Sequence, residues 1–405
     1  MSPDAGKTVS VTWRNVPATV WTLGFVSLLM DTSSELIHSL LPVFLTTVLG
    51  ASTVAVGVIE GIAEATAAIA KVFSGALSDR IGKRKLLVGM GYGLAAITKP
   101  VFPLASTAWE ILAARFVDRI GKGIRGAPRD ALIADITPPA IRGASYGIRQ
   151  ALDTVGAFAG PLLAVALMAL YANDFRAVFW WALVPAALAV LLIVVGVREP
   201  DDTRTSAKHS WPIHSQQLKR LSRAFWIVIA IGVVFALARF SEAFLVLKAQ
   251  AEGLALALIP LVFVWMNLIY ALTATAAGIL SDRIGRVKVL LCGLVALVVA
   301  DLALAFVPGL AGVIIGVGLW GLYLGFSQGL LSALVADTAP EDLRGTAFGL
   351  FNLVTGAALL VASVLAGWLW YDFGPTATFS AGAVFSGLAI LVIAFGIKAG
   401  LRPAN

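Results

Sequence analysis

The chain has 405 residues, of which 59% are hydrophobic and only 13% are charged, with a net charge of +7. Soluble domains average about half apolar and about a quarter charged residues, so this composition indicates an integral membrane protein. With three histidines, a single cysteine and no phosphate-binding loop, nucleophile elbow or zinc-protease motif, the chain is expected to have no enzymatic activity, no bound metal and no cofactor.

Twelve apolar segments follow one another along the chain, each long enough to cross a bilayer core of about 30 Å. The first, near 20–49, is too long for a signal peptide and is expected to remain as a membrane helix. The sequence therefore predicts an all-α integral membrane protein with twelve transmembrane helices. We number the segments 1 to 12; they are centred near Leu29, Ala65, Ala95, Gly121, Ala159, Pro185, Ala236, Ala271, Leu297, Leu322, Leu359 and Leu388.

Segments 1 and 2 carry acidic residues at helical spacing. Asp31, Glu35 and His38 are four and three residues apart, which places them on one face of segment 1. Glu60 and Glu64 share a face of segment 2 in the same way. Ionisable groups inside a bilayer are costly and usually face a partner or a water-filled cavity. We therefore treat these residues as candidates for proton binding.

Segment 4 carries basic residues three or four positions apart, which form a stripe along one face. Segment 5 carries an arginine and an aspartate four positions apart. The residues are Arg115, Arg119, Lys122, Arg125 and Arg129 in segment 4, and Arg149 and Asp153 in segment 5. Two interpretations stay open. The charges neutralise one another as structural pairs, or one or two carboxylates face the cavity and exchange protons. We prefer Asp31 and Glu35 as proton carriers, with Arg119 and Arg125 as counter-charges or anion ligands.

The second half of the chain has fewer charges in its apolar segments. Arg239 and Glu242 are three residues apart and predict a local ion pair. His38 is interpreted either as a proton relay or as a hydrogen-bonded packing residue, and a metal site on segment 1 is the least favoured alternative. The candidate cavity residues are His38, Arg119, Arg125, Asp153, Arg239, Asn267 and Gln328.

The distribution of Lys and Arg predicts the orientation. With both termini placed on one side, nineteen of these residues fall in the loops and termini of that side, and only Arg176 falls in the opposite loops. By the positive-inside rule that side is cytoplasmic, so the basic charge is interpreted as a topology signal rather than a nucleic-acid surface. The polar stretch 198–223 is predicted to link a first six-helix half (1–197) to a second (224–405).

A string in the first half recurs in the second. Residues 75–85 read GALSDRIGKRK and residues 278–288 read GILSDRIGRVK, 203 positions later. Such a repeat indicates that one unit was duplicated. Gly75 and Gly278 are expected to allow close approach between helices, with Asp79 and Asp282 at helix ends. The candidate gating residues are Gly75, Asp79, Arg80, Gly82, Asp282 and Arg283.

These motifs resemble those of the major facilitator superfamily (MFS). The string G-x-L-S-D-R-x-G-[KR] occurs between segments 2 and 3 and again between segments 8 and 9. The run Gly156 to Pro161 looks like the G-x-x-x-G-P motif of the proton-coupled antiporters in the family. The run from Asp118 to Asp130 is similar to a little-characterised prokaryotic branch. The resemblance implies two parallel six-helix bundles, and it implies that Asp79 docks against the other half to hold the cytoplasmic side shut.

The resemblance also implies a secondary active transporter that works by alternating access. No nucleotide-binding domain is recognisable, so we expect an ion gradient, by default protons, to supply the energy. The leading prediction is proton-coupled efflux of a small molecule by antiport. The alternatives are proton-coupled uptake of an organic anion or metal-binding small molecule by symport, and a membrane receptor or sensor on a transporter scaffold. The expected partners are protons, a small-molecule substrate and the lipid of a cell inner (plasma) membrane. We expect no nucleic-acid partner, and we expect the protein to be a monomer.

Overall fold

The structure, a computed structural model, describes residues 16–81, 83–138, 141–197, 220–340 and 343–398. Within these ranges the chain is helical and has no strand, which confirms the all-α prediction. In chain order the helices are α1 (Ala18–His38), α2 (Leu41–Thr47), α3 (Thr53–Ile81), α4 (Arg84–Thr98), α5 (Val101–Leu104), α6 (Ala108–Ile136), α7 (Arg142–Leu170), α8 (Phe175–Trp181), α9 (Leu183–Gly196), α10 (Arg223–Ala238), α11 (Ala243–Ala251), α12 (Leu261–Ile284), α13 (Arg286–Phe306), α14 (Gly309–Thr338), α15 (Arg344–Phe373) and α16 (Pro375–Lys398).

Four of the twelve predicted segments are broken into two helices each: segments 1, 3, 6 and 7. Three of these breaks lie beside a proline, namely Pro42, Pro100 and Pro185. Proline has no N–H to donate, and its ring clashes with the preceding turn, so a helix ends or bends there. The fourth break, between α10 and α11, places Arg239 outside regular helix, where its backbone is extended.

Ten stretches of the described helices are long and apolar enough to cross a membrane. The two remaining predicted segments contain α1 and α6, which carry the acidic face and the basic stripe. Their charges lower the mean hydropathy of these two segments. The membrane helices that are least apolar are therefore the ones that hold the ionisable residues.

One apolar cluster joins the two halves of the chain. We call the end where α3 is followed by α4 the loop end, and the opposite end, where α2 is followed by α3, the far end. The first-half residues of this cluster, among them Phe44 and Phe179, come from the far end, where they meet second-half residues such as Phe244. At the loop end, Val20, Tyr92 and other residues of the first half form a separate cluster. The bundle is therefore closed by apolar contacts at the far end.

Helices α3 and α15 are in close backbone contact across the two halves. A Cβ atom on Gly57 would lie 2.2 Å from the Ser363 carbonyl oxygen, and one on Gly367 would lie 2.5 Å from the Thr53 carbonyl oxygen. The Thr53 hydroxyl also donates to the Gly367 carbonyl at 3.0 Å. Small residues allow such close approach between membrane helices. The structure therefore shows a close helix contact at glycines that the sequence did not single out.

Candidate functional site

A cavity of about 500 Å³ lies between the charged helices of the first half and α12 of the second. Along α6 its lining runs from Lys122 to Asp130, and along α3 it runs from Glu64 to Lys71, in both cases toward the loop end. The cavity therefore opens at the loop end. Its volume lies within the range of about 300–1,000 Å³ that is usual for small-molecule sites.

Two smaller chambers adjoin this cavity. One, of about 210 Å³, reaches His38, Glu60 and Phe263 deeper in the bundle. The other, of about 230 Å³, is lined by Phe235, Tyr323 and Phe351 of the second half. Glu64 lines all three spaces. We call them together the central cavity; its first-half wall is charged, and its second-half wall is mainly apolar and aromatic.

The Gly156–Pro161 run positions the acidic face of α1. A Cβ on Gly156 would lie 3.1 Å from Asp31 Cβ, and one on Gly160 would lie 2.8 Å from Glu35 Cβ. Helix α7 can therefore approach α1 closely just behind these two acidic residues. The motif that the sequence associates with the antiporters of the family thus has a local structural role, which is to fix Asp31 and Glu35 at the cavity wall.

Asp31 on α1 and Asp153 on α7 lie side by side on the wall of the large cavity. An ionised carboxylate only accepts hydrogen bonds, so a hydrogen bond between these two groups would need a proton on one of them. Arg125 Nη2 lies 4.0 Å from Asp31 Oδ1, and Arg129 Nη1 lies 3.9 Å from Asp153 Oδ1. Arg149 Nη1 approaches Asp153 Oδ2 at 3.7 Å. The pair lines the cavity and has cations beside it.

The second acidic group forms a chain of contacts from α1 to α6. His38 Nδ1 lies 3.4 Å from Glu35 Oε2, and His38 Nε2 lies 3.3 Å from Glu60 Oε2. Arg115 donates to the same Glu60 oxygen at 2.6 Å. Glu60 and Arg115 are almost fully buried. Glu60 therefore has a fixed structural partner, while Glu35 and His38 remain at the cavity wall.

Two further ion pairs involve the basic stripe. Arg119 Nη1 lies 3.5 Å from Glu64 Oε1, as expected for a counter-charge in segment 4. Lys99 Nζ lies 3.1 Å from Asp118 Oδ1 and donates to the Ser34 hydroxyl at 3.0 Å. Lys99 is not among the candidate residues from the sequence. Its position in an apolar segment could have pointed to it, because a lone lysine there usually has a partner or faces a cavity.

Tyr92 supports the loop-end part of the stripe. The Arg125 guanidinium carbon lies 4.3 Å from the centre of the Tyr92 ring. Arg129 Nη1 donates to Ser27 Oγ at 2.8 Å and to the Tyr92 hydroxyl at 3.2 Å. Arg125 Nη1 is buried and has no hydrogen-bond partner among the described residues. One donor of this arginine is therefore left unused.

Lys122 belongs to the basic stripe of segment 4 and lines the cavity, although it is not among the candidate cavity residues from the sequence. Its side chain is exposed and lines both the large cavity and the deeper chamber. It acts electrostatically on Asp31, Glu35, Glu64 and Asp153. Within the described parts of the chain, no ion pair at 4 Å or less and no side-chain hydrogen bond is found for it. Spacing alone does not show which cation of a stripe lacks a partner.

The second-half candidates are placed as follows. Arg239 donates to Glu242 at 3.1 Å, which confirms the predicted local ion pair, and both line the deeper chamber. Asn267 lines the large cavity and the deeper chamber. The side chain of Gln328 lies outside the described residues. No group of three or more potential metal ligands occurs among the described residues.

The gating candidates stay predictions. Among the described residues, a Cβ added to Gly75 would lie 3.6 Å from Ala127 Cβ and one added to Gly278 would meet no atom within 4 Å, so the close helix contact expected at these two glycines stays a prediction. Asp282 and Arg283 are exposed. Gly82 and the side chains of Asp79 and Arg80 lie outside the described residues, so the predicted gate at Asp79 stays a prediction.

The loops of the two halves make similar ion pairs. Arg84 Nη1 lies 2.5 Å from Asp135 Oδ2 in the first half, and Arg286 pairs with Asp337 in the second. In the repeated string Arg84 aligns with Val287, and Arg286 aligns with Lys83. The two pairs therefore join similar parts of each half through arginines that are not equivalent in the repeat.

Comparison with known proteins gives the family. The Major Facilitator Superfamily model matches residues 23–266 and 230–404. An uncharacterized MFS-type transporter of Methanocaldococcus jannaschii is 32% identical over 389 residues, covering 94% of this chain and 96% of the relative. The class C tetracycline resistance protein of Escherichia coli is 27% identical over 309 residues, covering 71% and 74%.

A crystal structure of the nucleoside transporter NupG superposes with a TM-score of 0.73 at 13% identity, covering 94% of this chain and 99% of NupG. At this identity the similarity shows the fold alone. Together with the family match and the relatives, it agrees with the helical membrane architecture described above. The chain belongs to the Major Facilitator Superfamily and is a multi-pass membrane transporter, not an enzyme.

Proposed function

We propose that this protein is a proton-coupled secondary transporter of a small molecule, and that the Asp31–Asp153 pair carries the proton. The observation that supports this most directly is the carboxyl–carboxyl contact at the wall of an open cavity. Two adjacent carboxylates repel each other when both are ionised, so such a pair tends to hold one proton. Water in the cavity supplies a route for that proton.

The cations around the pair can also stabilise its deprotonated state. When the shared proton leaves, Arg125 beside Asp31, and Arg129 and Arg149 beside Asp153, are in place to balance the added negative charge. Both the protonated and the deprotonated pair therefore have a physical stabiliser. A residue that couples a proton to transport needs this property, because it has to load and unload within each cycle.

The distribution of apolar packing supports alternating access. First-half residues of the apolar cluster that joins the halves lie at the far end, while the central cavity opens at the loop end. Rocking of the halves about a midplane site would exchange these roles. Lys83, Arg84 and Lys85 at the loop end support a cytoplasmic loop end by the positive-inside rule. This conformation would then be inward-facing, in a cell inner membrane.

Two directions of transport have support. Export by antiport is favoured by the Gly156–Pro161 motif behind Asp31 and by a tetracycline resistance protein among the relatives. Uptake of an anion by symport is favoured by Lys122, whose ammonium group is exposed to the cavity among carboxylates that have other partners. Proton flux in liposomes distinguishes the two. A substrate gradient directed inward drives protons outward in antiport and inward in symport.

The test uses the full chain in proteoliposomes that contain a pH-sensitive dye, screened with small anions, nucleosides and amines. We expect at least one compound gradient to move protons through the wild type, and the movement to be lost in Asp31→Asn and in Asp153→Asn. Asp130→Asn is the matched control, because Asp130 lines the same cavity but pairs with Arg129. Unchanged proton movement in both Asp31→Asn and Asp153→Asn would refute the assignment.

A further inference from the structure

We infer that the central cavity binds an organic anion with an apolar or aromatic body, and that Lys122 and Arg125 hold its anionic group. The inference rests on the proposed proton-coupled transport and names the class of substrate. The charges of the first-half wall support the anionic group, and the aromatic side chains of the opposite wall support the apolar body.

The carboxylates that face Lys122 already have other partners. Asp31 lies beside Asp153, with which it shares a proton in the proposed function, and has Arg125 nearby. Glu35 has His38, and Glu64 has Arg119. The Lys122 ammonium is therefore a surplus cation where the cavity narrows into the deeper chamber, whereas the exposed Lys71 lies nearer the mouth. An ammonium in a space that narrows into a protein interior is stabilised by an anion.

Arg125 supplies an independent observation at the same place. The residue is only 5% exposed, its Nη1 has no partner among the described residues, and it lines the large cavity beside Lys122. Residues 122 and 125 are three apart on α6, so their side chains share a face. A buried guanidinium N–H without an acceptor is unfavourable. A carboxylate or sulfonate placed between the two cations satisfies both.

The opposite wall indicates the body of the ligand. The chamber toward the second half is lined by Phe235, Tyr323 and Phe351. It joins the charged spaces at Glu64, so a ligand that extends past Glu64 contacts both walls. Aromatic side chains favour stacked or edge contacts with another ring. A small inorganic anion would use the cations and leave this chamber unfilled.

The geometry also links the anion to the proton. Arg125 faces Asp31 when that carboxylate is ionised, and it becomes available to a ligand when Asp31 is protonated. Proton binding and anion binding therefore favour each other, which is reciprocal by linkage. Besides Lys122 and Arg125, the titratable and charged groups that line these spaces are Asp31, Glu35, His38, Glu60, Glu64, Lys71, Arg119, Arg129, Asp130, Asp153, Arg239 and Glu242. This linkage favours symport over the antiport that the sequence motif predicts.

The test measures ligand-induced thermal stabilisation of the purified full chain, because a ligand that binds the folded state raises its unfolding temperature. The probes are benzoate and benzenesulfonate, the neutral benzamide, the cationic benzylamine, and methanesulfonate as an anion without a ring. We expect the two aromatic anions to stabilise the protein, methanesulfonate to do so weakly, and benzamide and benzylamine to have no effect. Equal stabilisation by benzamide or benzylamine, or none by either aromatic anion, would overturn the inference.

Variants locate the site. Lys122→Gln and Arg125→Gln are expected to weaken benzenesulfonate binding about tenfold or more, the loss usual for a charge-assisted contact. Lys122→Arg should restore part of it. Lys71→Gln is the matched control, because Lys71 is also an exposed lysine of the large cavity, nearer its mouth. An equal loss in Lys71→Gln, or no loss in Lys122→Gln, would contradict a specific site. The size-exclusion elution volume and the unfolding temperature without ligand establish that each variant folds.

The pH dependence tests the linkage separately from the proposed function. Benzenesulfonate stays ionised, so its affinity should rise from about pH 8 to about pH 6 only if the protein takes up a proton. Asp31→Asn mimics the protonated carboxyl and should make the affinity high and independent of pH. A pH-dependent affinity that survives in Asp31→Asn would overturn the linkage. If no anion binds but proton flux still depends on Asp31, the anion site fails while the proposed coupling stands.

Discussion

The guanidinium group of Arg125 lies between two partners, with Asp31 Oδ1 at 4.0 Å and the centre of the Tyr92 ring at 4.3 Å. The first distance is at the long limit of an ion pair, while the second is typical of a cation–π contact. Arg125 is therefore supported by the ring whether or not Asp31 is charged. This arrangement allows the charge of Asp31 to change without releasing the arginine from the wall.

Tyr92 is therefore expected to matter for coupling. Tyr92→Phe keeps the ring below Arg125 but loses the hydroxyl contacts with Ser27 and Arg129, and we expect it to retain proton-driven transport. Tyr92→Leu also loses the cation–π contact, worth about 0.5–2 kcal/mol, and should reduce the ratio of transport with a pH gradient to transport without one. Equal ratios in the two variants would show that the ring has no such role.

The contact between α3 and α15 predicts an effect on stability. Gly57→Ala would place a Cβ 2.2 Å from the Ser363 carbonyl oxygen, a backbone atom that cannot move aside alone. We expect a loss of about 1–3 kcal/mol, as for overpacked sites, measured by unfolding in mixed micelles. Gly93→Ala is the matched control: the same substitution in helix α4 meets nothing within 4 Å and should be neutral or stabilising. A similar loss in both variants would argue against the close contact.

The buried ion pair of Glu60 and Arg115 predicts that a single variant is much less stable than the double variant. Arg115→Gln leaves Glu60 buried without its arginine, and removing one partner of a buried ion pair costs about 3–5 kcal/mol. The double variant Glu60→Gln, Arg115→Gln should recover most of this loss in the same unfolding assay. For comparison, Arg239→Gln breaks a pair whose side chains are 31% and 22% exposed, and should cost about 1 kcal/mol or less. No recovery in the double variant would contradict the pairing.

Asp301 on α13 has an unusual environment. It is fully buried, and neither of its carboxyl oxygens has a hydrogen-bond partner among the described residues. It fits because residue 382 on α16 is glycine, where an added Cβ would lie 2.6 Å from Asp301 Oδ2. An added Cβ would also lie 2.9 Å from Phe240 Cε1, so we expect Gly382→Ala to destabilise the protein and Asp301→Ala to remove part of that effect in a double-mutant cycle. Additive losses would show that the two residues do not meet.

One acidic residue outside the spans predicts a pH dependence. Glu252 follows α11, accepts from Lys248 at 2.5 Å and accepts from the Gly309 N–H at 2.7 Å, and these bonds lower the pKa of its carboxyl below the usual value. A lowered folded-state pKa stabilises the protein above the unfolded-state pKa, and this contribution is lost as the pH falls through the folded-state pKa. Glu252→Gln should therefore reduce the unfolding temperature slightly at neutral pH. The difference should vanish in acid, and a constant difference would contradict the assignment.

The sequence determined the features that depend on local chemistry. Hydropathy and length indicated the all-α membrane fold. The period of the helix placed Asp31, Glu35 and His38 on one face, and the Arg239–Glu242 pair followed from spacing alone. The repeated loop string indicated the duplication and the family. Each of these inferences uses residues that are close along the chain, so no knowledge of helix packing is needed.

Only the tertiary structure decided which charges meet. The contact of Asp31 with Asp153 joins segments 1 and 5, and the pair of Lys99 with Asp118 joins segments 3 and 4. The close contact between α3 and α15 lies at Gly57, which the sequence did not single out. These results depend on how each helix is rotated about its axis and which neighbour it packs against. Those quantities are set by non-local side-chain packing, and for this reason a regular basic stripe could not show that Lys122 is the cation left facing the cavity.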